Sequence, residues 1–142
     1  MSAINYGRVV TAGLVAGVVL NVLDVVNGMF IMAGDFEANS ARLGLDPALM
    51  QASSVMVTWI VIDFLIGMLL VWLYAAIRPR FGPGLKTALI AGLYYWAGVS
   101  LVVYGFTAMG LFGTGLFWKA TVIQLPIALA GAAAGGWAYK EA

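Results

Sequence analysis

The stretch TALIAGLYYWAGVSLVVYGFTAMGLFGTGLFW, Thr87 to Trp118, runs for 32 residues without a single charged side chain. A hydrocarbon core of about 30 Å is crossed by roughly 20 apolar residues in a helix, so this run is too long for one span and too short for two. Its own punctuation resolves the problem. Gly110-Leu111-Phe112-Gly113-Thr114-Gly115 breaks the run, and Lys119 divides it from a second charge-free stretch, Ala120 to Tyr139. Working outward, Arg8 opens an apolar run to Met32, and a polar stretch from Asp35 to Ser53 ends it. A further apolar run, Ser54 to Ile77, is closed by Arg78-Pro79-Arg80-Phe81-Gly82-Pro83-Gly84. The pattern predicts four transmembrane helices near 8–32, 54–77, 86–110 and 116–139, with a loop at 33–53, all within one domain over residues 1–142.

Composition agrees. Of the 142 residues, 63% are hydrophobic and only 9% charged, with a mean hydropathy of +1.01. A soluble domain is about half apolar and about a quarter charged, and a chain this short has too little interior to hide the excess. Strands are excluded because no segment alternates with period two, leaving helices to satisfy the backbone in lipid. The expected fold is all-α, an integral membrane four-helix bundle. The first run reads as a span and not a cleaved leader, since its apolar stretch is long, Asn21 and Asp24 interrupt it and no convincing small-x-small cleavage site follows.

Lys and Arg set orientation. Arg8, Arg78, Arg80, Lys86 and Lys140 fall on one side of the expected membrane, Arg42 and Lys119 on the other. Both termini are thus expected in the cytoplasm and the 33–53 loop outside. Trp59 and Trp118 fall at the outer interface, and Tyr6, Tyr74, Trp137 and Tyr139 at the inner one. In the loop, Asp46-Pro47 has the form of an N-cap followed by proline at the first helical position, so the second helix is expected to start at Pro47. Asp35 is placed to cap a short turn ending at Gly44. A faint correspondence of Ala12-Gly13-Leu14 with Ala91-Gly92-Leu93, and of Ile62-Asp63 with Ile123-Gln124, would make the chain two similar helical hairpins; low-complexity apolar sequence also produces matches this short.

Several chemistries are absent from the composition. The chain has no cysteine and no histidine, which removes disulfides, thiolate and imidazole metal sites and histidine-based catalysis. A net charge of +1 offers no basic face for nucleic acid. The glycines lie inside apolar helices, the wrong setting for a nucleotide loop. No enzyme activity is expected, and the residues leave open whether a cofactor is bound.

The informative residues are polar ones that cost free energy in lipid. Asp24 lies about nine residues before the end of the first span and Asp63 about nine after the start of the second. At 1.5 Å per residue, both are expected about 13 Å below the outer boundary. Helical spacing aligns Gly13, Gly17, Asn21, Asp24 and Gly28 on one stripe. Ala88, Gly92, Trp96, Ser100 and Tyr104 form another, and Gln124 lies on the inward stripe of the fourth helix. Asn21, Asp24, Asp63, Ser100, Tyr104 and Gln124 are therefore expected in one polar layer that binds a proton, a cation or a small polar ligand, in a transport role. Against this stands a plainer reading, in which the acids are hydrogen-bonded stitches of the bundle. Gly13-x3-Gly17 and Gly131-x3-Gly135 read as close-packing signals, and Tyr94, Tyr95 and Trp96 as packing side chains. Pro126 reads as a kink that frees the Val122 carbonyl beside Gln124.

The stretch Tyr74-Ala75-Ala76-Ile77-Arg78-Pro79-Arg80-Phe81-Gly82-Pro83-Gly84-Leu85-Lys86-Thr87-Ala88 resembles small, uncharacterised four-helix bacterial membrane proteins. That resemblance implies a multi-pass protein of the bacterial inner membrane, and no activity. The partners expected are the lipid bilayer and either a second copy of the chain or another membrane subunit. The rival function is that of a non-catalytic accessory subunit packing against protein, lipid or pigment.

Overall fold

The computed structural model describes residues 4–140, which are helical with no strand. Six α-helices succeed one another: α1 (Tyr6–Val26), α2 (Ala33–Arg42), α3 (Pro47–Met50), α4 (Ser53–Phe81), α5 (Leu85–Ala108) and α6 (Thr114–Ala138), with a π-helical turn at Asn27–Ile31 continuing α1. Four of them, α1 with its π turn, α4, α5 and α6, are long and apolar enough to cross a membrane. The ends of the expected domain, residues 1–3 and 141–142, lie outside the described residues.

Glycine determines how the long helices meet. On α1, Gly13 sits against Met68 and Gly17 against Phe64 of α4, while Gly67 faces the Gly13 carbonyl oxygen and the Gly17 amide nitrogen. A methyl group at Gly67 would overlap both backbone atoms, so α1 and α4 touch main chain to main chain. This is the small-xxx-small geometry. The same means bring α6 in: Leu20 fills the notch at Gly131, and Val71 and Ala16 close on Gly135. The expected packing role of these glycines is therefore observed. Helix α5 packs mainly along α6, with Gly92 against Ala128 and Ala132 and Gly136 against Ala88, and has a smaller contact with α4.

The interior forms two apolar clusters. One joins Val9, Ala12, Val71, Tyr74, Ala88 and Tyr139 near the described termini. The other joins Leu20, Leu70, Ile127 and Ala132 at mid-bundle, flanked by Leu23, Ile66, Tyr95 and Ile123. Tyr74 and Tyr139, expected at a lipid–water interface, are instead buried. Their rings meet edge to face at 6.0 Å, and the Tyr74 hydroxyl accepts from the Gly84 amide at 3.0 Å. A polar tip with an internal partner has no need of water. Trp137, Trp59 and Trp118 are exposed on the outside of the bundle.

Three boundaries differ from the sequence expectation. Helix α4 continues through Pro79 to Phe81, because a proline in the last turn forfeits only one backward hydrogen bond; Gly82, at φ 81°, ends it. The second long helix does not begin at Pro47. Asp46 does cap, its Oδ1 accepting from the Ala48 amide at 2.9 Å, but it heads only the short α3, and α4 starts anew at Ser53. Asp35 is no cap either: it lies in the first turn of α2, whose N-cap is Met32.

At this end α2 is fastened across the α5–α6 turn. Asn39 and Arg42 both donate to the Leu111 carbonyl, at 3.2 and 3.0 Å, and the Gly113 amide donates to Asn39. Lys119 pairs with Asp35 and donates to the Ile31 carbonyl at 3.3 Å, where a cation also meets the negative end of the preceding helical run.

Candidate functional site: a buried acidic layer between α1, α4 and α6

The register of α1 on α4 positions the carboxyls. It seats Gly13 at Met68, Gly17 at Phe64 and Asn21 at Ile60, an antiparallel pairing that sets Asp63 opposite Val18. Asp24 lies six residues further along α1, about 9 Å at 1.5 Å per residue. The two acids were expected at one depth; the direct α1–α4 contact staggers them. Side chains lean toward the N-terminus of their own helix, and since α1 and α4 run in opposite directions, the two carboxyls lean toward each other. They lie close enough to feel one another's charge.

Their surroundings differ. Asp24 is half-buried and its Oδ1 accepts from Gln124 Nε2 of α6 at 3.1 Å. Asp63 is only 6% exposed, and among the described residues no hydrogen bond reaches its carboxyl. Asn21 occupies the level between them. Its Nδ2 donates to the Gly17 carbonyl at 3.0 Å and to the Ile60 carbonyl of α4 at 3.3 Å, while its Oδ1 is enclosed and has no partner. Asn27, three residues beyond Asp24 at the start of the π turn, is 8% exposed and its Oδ1 is likewise enclosed and unpartnered.

No family model, curated protein or solved structure matches this chain. The chemistry of the layer is therefore read from its own geometry.

Of the six residues picked from the sequence, Asp24, Asp63, Asn21 and Gln124 come together. Neither Ser100 nor Tyr104 of α5 is hydrogen-bonded to the acids among the described residues, and Tyr104, 54% exposed, packs on Phe117 with ring centroids 5.4 Å apart. The reason is the face α5 presents. Its stripe meets α6 through Ala88 and Gly92, so positions further along track α6 and not α1. Tyr95 is the α5 side chain within reach of the acids' charge. It packs on the mid-bundle cluster and lies within electrostatic range of both Asp24 and Asp63. Its place beside Trp96 in an aromatic triplet hid it. Trp96 itself donates to the Thr121 carbonyl at 2.9 Å, one residue from the carbonyl that Pro126 leaves without its usual helical donor; α6 runs unbroken through that proline.

Chemically, the layer is rich in acceptors and poor in donors. The Gln124 amide is the one side-chain donor to Asp24 or Asp63 among the described residues. Nothing here resembles a nucleophile with its base. What such a layer can do is hold a species that brings positive charge or hydrogen. The largely apolar groove between α5 and α6, lined by leucines and Ile90 with Lys86 at one end, includes none of the residues of the acidic layer.

Proposed function

We propose that the protein is a multi-pass membrane protein whose buried acids, Asp24 and Asp63, bind a proton or a small cation as a step in transport. The observation that carries this reading is Asp63 itself, a residue only 6% exposed among apolar helices, with no hydrogen-bond donor to its carboxyl among the described residues and with a second carboxyl within electrostatic range. An ionised side chain so placed is costly unless something neutralises it. The asymmetry of Lys and Arg supports cytoplasmic termini, and the resemblance of the Tyr74–Ala88 stretch supports the bacterial inner membrane. A second copy of the chain would enclose a conduction path that one small bundle does not.

The test is flux in proteoliposomes under an imposed proton or cation gradient. The wild-type protein moves charge, while Asp63→Asn and Asp24→Asn, still monodisperse in detergent, do not. Equal flux in wild type, variants and empty vesicles would sink the proposal.

A second reading, that of an accessory subunit, is favoured by α5, where only 11% of the apolar window is buried and Leu93, Tyr94, Leu101 and Val102 stand bare. In that case a fixed membrane partner co-purifies in mild detergent, and the acid variants are silent.

A further inference from the structure

We propose that the groove between α5 and α6 is a binding site for an anionic phospholipid, with one acyl chain lying between the two helices and the phosphate meeting the ammonium group of Lys86. The inference is independent of the acidic layer and needs only that the long helices cross a membrane.

The groove follows from the spacing of its side chains. Leu85, Leu89 and Leu93 stand four residues apart on α5, and Leu125 and Leu129 four apart on α6, so each row lies along one face of its helix. The two rows line a groove of about 520 Å³, within the range of clefts that take small molecules, about 300–1,000 Å³. From Leu85 to Leu93 is about 12 Å at 1.5 Å per residue, less than half of a hydrocarbon core of about 30 Å. The groove therefore stays within one leaflet. On the next turn of both helices, Trp96 of α5 donates to the Thr121 carbonyl of α6 at 2.9 Å and ties the pair together. A partner helix would run along the whole span, whereas an acyl chain ends inside one leaflet.

The charge sits at the boundary end. Lys86 is the one charged residue lining the groove, and among the described residues its side chain has no ion pair and no hydrogen bond. Its position is set by the turn before it. The Thr87 hydroxyl donates to the Gly82 carbonyl at 2.6 Å, and the Gly84 amide donates to the Tyr74 hydroxyl at 3.0 Å. Lys86 stands in the first turn of α5, where the positive end of the helix dipole adds to its charge. The sequence around it has the same sign. On the side of the expected membrane that holds Lys86 lie Arg8, Arg78, Arg80 and Lys140 as well, against Glu141 alone. Basic residues at such a boundary attract anionic lipid, and a zwitterionic headgroup has no net charge to answer them. To that general attraction the groove adds a place for the chain.

The experiment is native mass spectrometry of the delipidated full-length protein in detergent, titrated with dioleoylphosphatidylglycerol or dioleoylphosphatidylcholine. Wild type is expected to retain one phosphatidylglycerol per chain and to bind phosphatidylcholine about fivefold more weakly or less. Lys86→Gln is expected to weaken phosphatidylglycerol binding by about fivefold and to leave phosphatidylcholine unchanged. Arg80→Gln, which removes an exposed charge from the same end but outside the groove, keeps the preference. Leu93→Trp puts a larger side chain at a half-exposed position on the groove wall and weakens both lipids, with its helix content checked by circular dichroism. Equal retention of the two lipids by wild type overturns the anionic class. Arg80→Gln losing as much preference as Lys86→Gln overturns the assignment of the phosphate to Lys86, and undiminished lipid in Leu93→Trp overturns the groove. If wild type retains no lipid, the proposal falls; a pair of chains that Leu93→Trp separates would then assign the groove to a second copy.

Discussion

Gln124 on α6 donates to Asp24 on α1 at 3.1 Å, a polar link between residues a hundred positions apart in sequence that ties α6 to the acidic layer. Asp63 has no equivalent donor among the described residues. The two carboxyls therefore respond differently to substitution, and that difference is measurable.

Replacing Gln124 by Leu leaves Asp24 without its donor. An interhelical side-chain hydrogen bond in a membrane bundle contributes about 1 kcal/mol, so Gln124→Leu is expected to lower stability by about that amount. Unfolding in detergent or bicelles checks it. Gln124→Glu, which sets a second acid against Asp24, is expected to cost more; an unchanged midpoint in both variants would show the link to be idle.

Asp63→Leu should move stability the other way. Removing a buried polar group that has no partner, in favour of a side chain of similar size, relieves a penalty of about 1–3 kcal/mol. The same variant is expected to abolish ion binding, a trade of function for stability seen at other buried polar sites. A lower unfolding midpoint for Asp63→Leu would mean that the carboxyl is held by something stabilising.

The seam between α1 and α4 makes a sharper claim. Gly67→Ala places a methyl group on the Gly13 carbonyl oxygen and the Gly17 amide, backbone atoms that cannot rotate away, and is expected to cost about 1–3 kcal/mol. Gly98→Ala, on an open face of α5 with nothing within 4 Å, is expected to raise stability by about 0.5–1 kcal/mol. Thermal unfolding of the two alanine variants side by side separates close approach from helix propensity. Similar effects of the same sign would refute the packing account.

Lys119 holds α2 by a pair that is substantially exposed, so its energetic weight is small. Lys119→Ala should cost less than about 1 kcal/mol while speeding amide hydrogen exchange across residues 33–42. Asn39→Ala, which loses the contacts with Leu111 and Gly113, is expected to act in the same direction. Exchange unchanged in the double variant would show that apolar contact alone seats the helix.

Much of this arrangement was legible in the residues. Charge-free runs bounded by Arg8, Arg78 and Lys119 located the four long helices to within a few positions, because lipid-length apolar stretches have few other outlets. Asp24, Asp63, Asn21 and Gln124 stood out because polar groups are scarce in such runs. The depth of Asp63 relative to Asp24 was not legible. Counting from helix ends treats each span separately, whereas the stagger comes from which glycine of α1 meets which residue of α4. The outward position of Tyr104 was hidden for a related reason: periodicity shows that a stripe exists on α5 and not which neighbour it faces. The π turn at Asn27 has no compositional mark beyond an Asn-Gly pair, and Tyr95 looked like one ring among three.

The main-chain contact of Gly13, Gly17 and Gly67 also restricts how the bundle can move. Where backbone rests on backbone there are no side chains to repack, so α1 and α4 behave as one spar with no play in it. Any cycle that opens the acids first to one face and then to the other would leave that spar still and move α5 against α4, where its contact is smaller than with α6. Cross-linking α1 to α4 would then spare turnover, and cross-linking α5 to α4 would stall it.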